Sequence, residues 1–535
     1  MHAVERFGAV APAALLAALL VGTTAALAQQ GPPQPAPPVA TRVSEKPVSF
    51  ADLPAPQRFE TSHQITVRGK GLRYRVVAGE TYITSLFGEP IASLFSFSYF
   101  RDGPRDPSRP VLFVFNGGPG AASLWMHIGA MGPRRVVLTP EVNPSNTPPF
   151  GLEDNPLTLL DSADLVFIDP VGTGYSRALG NAKPADFFGV DEDADSIARF
   201  IERWLTEHGR WNSPKYLLGE SYGVMRAAVL TRALLGGPFY GGVMRGITVN
   251  GVILVAGGIS AGPRAQPDTA EKPQAPDPAV GSSLPGMAVT AWYHGKIPRE
   301  GRNGPQLYEE VRQFAVDAYA KAVFELDNGR LPDAERDRIA ARLAGYTGIP
   351  AGEWSAGKLR IPMQKFLRTV LADRGLEAGS YDSRYTLPLA GSGNDPVADD
   401  PGMGRYTPGF VAAFHGMLTG ELGVEMPVPY NSITWAELNF KWNWNRPALQ
   451  AGLTTGSDLA VAMRRTPALR VLVATGLYDM VVSPASVEHG IRQSGVPEER
   501  VTFRRYDSGH MLYLGGTLQA FSDDLHAFIA AGSRP

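Results

Sequence analysis

Residues 216–223 read Tyr-Leu-Leu-Gly-Glu-Ser-Tyr-Gly. A short apolar strand enters a Gly-x-Ser-x-Gly pentapeptide, and an apolar-periodic segment from Val224 to Leu235 leaves it. A strand that turns at once into a helix leaves its central residue, Ser221, at a strained tip with the hydroxyl exposed. Gly219 and Gly223 flank that tip because side chains would collide in so tight a turn. The pentapeptide alone is a common pattern. The strand before it and the helix after it give this copy its meaning.

Continuous apolar runs at Val111 to Phe115, Leu165 to Ile168, Gly251 to Val255 and Leu469 to Ala474 predict strands buried on both faces, and Val501 to Tyr506 predicts another. Alternation in Gln64-Ile65-Thr66-Val67 and Tyr74-Arg75-Val76-Val77 predicts hairpin strands at the sheet edge. Between Asp191 and His208, apolar residues at Ile197, Phe200, Ile201, Trp204 and Leu205 fall at helical spacing. Asp191, Glu192 and Asp193 suit the helix N-terminus, and Gly209 suits its end. The composition then changes. Gly262 to Pro285 is dense in Pro, Ala and Asp and reads as a flexible excursion. Helical patterns follow at 308–324, 333–343 and 363–371, then Gly/Pro/Asp-rich loops at 390–404. An aromatic cluster at Trp435, Phe440, Trp442 and Trp444 is read chiefly as core packing. These patterns predict an α/β chain with a largely parallel central sheet flanked by helices. The core spans 46–262 and 466–535. A helical cap inserted at 263–465 is expected over the strand C-termini, where such sheets bind ligands.

The chain has 535 residues and a net charge of −2. That balance gives no basic footprint for nucleic acid. There are no cysteines, which excludes disulfides and thiolate metal sites, and the nine histidines lack ligand spacing. No metal and no cofactor are expected. Residues 1–28 resemble a secretory signal, with Arg6, an apolar stretch from Ala9 to Val21 and Ala26-Leu27-Ala28 as the cleavage site. The apolar stretch is short for a span of about 20 residues, so a cleaved signal is preferred to a membrane anchor. The expected product is exported to the periplasm or medium, with no stable membrane insertion. Residues 29–45, rich in Pro and Gln, read as a disordered linker. Oligomeric state is left open.

A serine nucleophile needs a base and an orienting carboxylate. Leu469 to Ala474 leads to Asp479, and Val501 to Tyr506 leads to His510, so both groups follow strand ends. The order Ser221, Asp479, His510 is that of the α/β-hydrolase fold, in which Ser221 would occupy the nucleophile elbow. Asp507 is the competing acid, but lies too close to His510 in sequence for the usual partner. An oxyanion hole needs backbone donors. One should be the amide of Tyr222. The other should come from Asn116-Gly117-Gly118-Pro119-Gly120, which directly follows Val111 to Phe115.

The combination of 116–120 and 219–223 resembles the serine carboxypeptidase family. So do Asn155-Pro156, residues 169–176 (Asp-Pro-Val-Gly-Thr-Gly-Tyr-Ser) and Gly509-His510-Met511. The resemblance covers the two core segments. It implies release of C-terminal amino acids from peptides, usually at acidic pH, by an α/β-hydrolase with a helical cap. By resemblance, Ser221, Asp479 and His510 are the triad, and Gly118 and Tyr222 the oxyanion donors. Asn116, Gly117 and Glu220 would bind the substrate's terminal carboxylate. Three positions depart from the family: Ala130 stands where a second glutamate is expected, Val114 for a tryptophan and Ala121 for a cysteine. Two close carboxyls share a proton, which raises one pKa. Without that partner Glu220 is expected to ionise and repel a carboxylate, unless another group compensates. Of the neighbours, His127 is assigned to helix packing, and Arg134 and Arg135 to the solvated surface.

Three functions compete. The first is an exported serine carboxypeptidase acting on peptides. The second is an esterase or acyltransferase that does not read a terminal carboxylate. The third is a catalytically silent peptide binder.

Overall fold

The computed structural model describes residues 48–104, 106–138, 141–238, 242–259, 283–389, 395–446 and 454–532. The signal and linker readings at 1–45, most of the Pro-rich excursion and residues 390–394 lie outside these.

The main path of the ten-stranded sheet runs through β1 (Arg58–Val67), β2 (Lys70–Thr84), β3 (Pro90–Arg101), β4 (Val111–Phe115), β5 (Asp164–Ile168), β6 (Lys215–Glu220), β7 (Gly251–Val255), β8 (Arg470–Gly476) and β9 (Val501–Tyr506), and a two-residue strand at Arg177–Ala178 pairs with β3 beside it. Its order is β1-β2-β3-β5-β4-β6-β7-β8-β9. The first three strands are antiparallel and β3 meets β5 antiparallel; from β5 to β9 every pairing is parallel. That order, with a strand-to-helix elbow after β6, is the α/β-hydrolase fold. β4 to β7 are buried at every residue, as parallel strands covered on both faces must be.

Alternate residues of these strands feed two cores. Leu112, Val114, Phe167, Leu218 and Ile253 face one side. Val111, Phe113, Phe115, Leu217 and Leu254 face the other. The second core is closed by α1 (Val190–Glu207) and α2 (Tyr222–Leu235). In α1, Ile197, Phe200, Ile201, Trp204 and Leu205 are all buried, and the chain leaves the helix through Gly209 at φ +62°.

Among its described residues, the chain between β7 and β8 is mostly helical. It includes α3 (Leu284–Tyr293), α4 (Gly304–Phe314), α5 (Asp333–Thr347) and α6 (Pro401–Gly416). Residues of α3, α4 and α5 share a third core with Leu477, Tyr478 and Met480, which follow β8. α7 (Thr455–Arg465) returns to the second core, and α9 (Leu518–Gly532) covers the first; α8 (Pro484–Gln493) lies between β8 and β9. No helix among the described residues is long and apolar enough to cross a membrane.

Because β4, β6, β8 and β9 run parallel, the loops after their carboxyl ends open on one edge of the sheet. Phe115 pairs with Gly219, and Gly476 pairs with Tyr506. The sheet thus carries residues 116–120, 220–222, 479 and 510 to that edge.

Candidate active site

Ser221 joins β6 to α2 at φ 59° and ψ −126°, backbone geometry that costs energy for any residue with a side chain. Ser221 N donates to Val255 O, and Val224 N donates to Ser221 O, each at 2.9 Å. A Cβ on Gly219 would come within 2.0 Å of Gly223 O, which is why that position carries none. The glycine loop lies against this elbow: a Cβ on Gly117 would meet Tyr222 N at 2.4 Å and Ser221 Cβ at 2.8 Å. Among the described residues, the amides of Gly118 and Tyr222 take no backbone partner.

The loop is held from both sides. Beneath it, Arg226 of α2 donates to Asn116 O and pairs at 2.7 Å with Asp193 of α1; both side chains are buried. Asp193 thus does more than favour a helix N-terminus. Above it, Thr434 N donates to Gly120 O at 2.8 Å and Asn439 Nδ2 to Pro119 O at 3.1 Å.

Asp479 and His510 meet with Oδ2 and Nδ1 2.8 Å apart. The other carboxylate oxygen accepts from Val481 N and Val482 N, each at 2.9 Å. Burial works against a charged imidazole here, but the Asp479 charge and hydrogen bond prevail and raise the His510 pKa above its usual value. Among the described residues, Ser221 Oγ makes no hydrogen bond to His510; such contacts commonly tighten only with substrate bound. Asp507 is turned elsewhere, beside Tyr478.

Glu220 is 3% exposed. Asn116 Nδ2 donates to its Oε2, and so does Tyr513 Oη at 3.4 Å; Oε1 is buried and has no partner among the described residues. Burial raises the Glu220 pKa to about 7, against the opposing pull of His510, Tyr513 and Asn116. Desolvation, helped by the Asp479 charge, thus opposes the ionisation expected from Ala130. Tyr513 stands nearby, packed so closely on Gly129 that a Cβ there would lie 2.5 Å from its ring.

Several neighbours have structural duties. His127 is buried, bonded to Tyr99 Oη at 2.6 Å and stacked on Phe167. Arg134 pairs with Glu421 and Asp154, and Arg135 with Glu153. Trp442 is buried in the second core, with Trp442 and Trp444 edge-on to Tyr222, whereas Phe440 is exposed. Sequence reasoning missed Tyr513, Arg226 and the 380–384 segment. Tyr381 O accepts from His510 N at 2.6 Å, and its ring stands edge-on to the imidazole. Arg384 Nη1 donates to Asp507 O at 2.9 Å. No local pattern marks these residues, since each acts across a long stretch of chain.

Fold and site together define an α/β-hydrolase with a serine elbow and a buried His–Asp pair on one sheet edge. Residues 91–257 match the family model described as Serine carboxypeptidase. This stretch contains the glycine loop, Glu220 and Ser221, but neither Asp479 nor His510. The chain is similar to the pheromone-processing carboxypeptidase KEX1 of Puccinia graminis f. sp. tritici, 27% identical over 164 residues, or 30% of this chain and 23% of that protein. It is also similar to serine carboxypeptidase-like 34 of Arabidopsis thaliana, 27% identical over 155 residues, or 28% of each. The matches thus span about a quarter of these relatives' lengths. Among solved structures, the proline iminopeptidase of Mycobacterium smegmatis aligns with a TM-score of 0.34 at 12% identity, covering 85% of this chain and 98% of that one. The fold assignment rests on the strand order above.

Proposed function

We propose that this chain is an exported serine carboxypeptidase that hydrolyses C-terminal peptide bonds through Ser221, His510 and Asp479. The observation that carries the reading is the strained serine at the sheet edge where the His510–Asp479 pair lies. In this mechanism Ser221 Oγ attacks the scissile carbonyl and passes its proton to His510 Nε2. Asp479 holds the Nδ1 tautomer and stabilises the imidazolium. The amides of Gly118 and Tyr222 receive the oxyanion. His510 then protonates the leaving amine, and water attacks the acyl-enzyme. Asn116, Gly117 and Glu220 would receive the terminal carboxylate of the peptide, Glu220 donating a hydrogen bond while protonated. No cofactor enters the scheme. Export rests on the signal-like residues 1–28 and the cap assignment on the helical run between β7 and β8.

Ala130, in place of a second glutamate, favours one alternative: an esterase or acyltransferase that ignores the carboxylate. Hydrolysis of a blocked dipeptide as free acid and as C-terminal amide, from pH 4 to 8, separates the two. Preference for the free acid supports the carboxypeptidase. Equal or better cleavage of the amide transfers the assignment to the broader acyl hydrolase. Ser221→Ala should lose about 10⁴-fold or more in kcat for either; a chain with no turnover to lose is a binder.

A further inference from the structure

Glu220 receives both of its donors on one oxygen. Asn116 Nδ2 and Tyr513 Oη both point at Oε2, while Oε1 is buried and bare. An oxygen that already accepts two hydrogen bonds is a poor place for a proton. A proton on this carboxyl therefore resides on Oε1, whose O–H has no acceptor among the described residues and, being buried, meets a substrate carboxylate only when neighbouring side chains give way. Tyr513 can hold this role at any working pH, because burial and the nearby Glu220 keep its own hydroxyl far above the usual phenol range and hence neutral. The ring is fixed in place. It is buried, packs on Gly129 on one side and approaches Phe410 on the other. Gly129 must lack a side chain for this to fit, and the adjacent Ala130 brings no polar group of its own.

We propose that Tyr513 is a specificity-determining positioning residue: it orients Glu220 so that Oε1 presents its O–H to the free carboxylate of a peptide substrate. The inference rests on the carboxypeptidase reading above. It differs from a shared-proton pair of carboxyls in one testable respect. A tyrosine hydroxyl donates to the ionised form of Glu220 as well, and so pulls that pKa down against burial. Removing the hydroxyl should thus loosen the orientation of Glu220 and at the same time ease its protonation. The two effects act oppositely on binding, and a merely structural role for Tyr513 produces no such pairing.

The test compares wild type, Tyr513→Phe, Glu220→Gln and the double variant. Each is assayed on a blocked dipeptide free acid and on its C-terminal methyl ester from pH 4 to 9, with folding checked by thermal melting and near-ultraviolet circular dichroism. For Tyr513→Phe, the free-acid to ester ratio of kcat/KM at pH 5 should fall about tenfold, the loss of one hydrogen bond to a charged or polar partner. The fall should lie in KM. The alkaline limb of the free-acid profile should move to higher pH. In the Glu220→Gln background the limb is absent, and Tyr513→Phe should shift nothing. A wild type that prefers the free acid while Tyr513→Phe leaves ratio and limb unchanged overturns this inference alone. Equal losses on acid and ester overturn it as well. A wild type indifferent to the free carboxylate overturns the carboxypeptidase reading and this inference with it. Should Tyr513→Phe not fold, Tyr513→Met fills the buried site with a flexible apolar side chain and no hydroxyl, and the same ratio and limb decide the matter.

Discussion

At the scale of single residues, Glu220 couples protonation to stability. Its pKa is raised from 4.5 to about 7, chiefly by burial. Below pH 4.5 the carboxyl is protonated whether the chain is folded or not. Between 4.5 and 7 the unfolded chain releases a proton that the folded chain retains, so this contribution to stability declines as pH rises and is gone above about 7. Its full size is about 3 kcal/mol at most. Glu220→Gln has no such slope. Chemical denaturation at several pH values should find the variant gaining on wild type steadily from pH 4.5 to 7. A constant difference over that window would count against a proton held by burial.

Among the elements, α6 has an influence beyond its own stability. Asp400 caps it through Oδ1, which accepts from Gly402 N at 2.9 Å and Met403 N at 3.1 Å. The other oxygen accepts from Ser380 N at 2.6 Å, Ser380 Oγ at 2.8 Å and Tyr381 N at 3.3 Å. Tyr381 in turn accepts from His510 N, so one carboxylate fixes both a helix start and the support of the imidazole. Asp400→Ala should cost about 1–2 kcal/mol for the cap alone. It should also lower kcat, because the segment under His510 is released. Asp400→Asn keeps an acceptor for the helix amides and should recover part of the stability. Urea melts and initial rates on both variants check this; a stability loss with unchanged kcat would leave Asp400 a cap and nothing more.

Across the whole molecule, acid sensitivity is built into the cores. His127 lies in the first core, and burial lowers its pKa from 6.5 to about 3. Above pH 6.5 it is neutral in both states. As pH falls from there, the unfolded chain takes up a proton that the folded chain refuses, so stability is lost down to about pH 3, by several kcal/mol. His127→Phe keeps the aromatic stacking on Phe167 but strands the Tyr99 hydroxyl. The variant should therefore melt below wild type at pH 7, with the gap narrowing or reversing by pH 4. Melting curves that stay parallel over that range would mean the acid limb arises elsewhere.

Much of the fold can be read locally. The apolar runs that become β4 to β8 report burial on two faces, and the spacing of Ile197 to Leu205 reports a one-sided helix, because both patterns are periods of the chain itself. The elbow is legible for the same reason: Gly219, Ser221 and Gly223 meet within five residues, and their constraint is steric. What lay beyond reach were contacts closed by the sheet. Its parallel register carries Tyr513 to Glu220 and Arg226 to the glycine loop, while hydrogen bonds with the loop after β8 and with Asp400 hold Tyr381 at His510, and no local period encodes a neighbour so far along the chain. The protonation of Glu220 shows the division most clearly. Its residue type and the Ala130 in place of a second glutamate point to an ionised group; the depth at which folding places it raises its pKa to about 7, because desolvation depends on what surrounds a carboxyl in space.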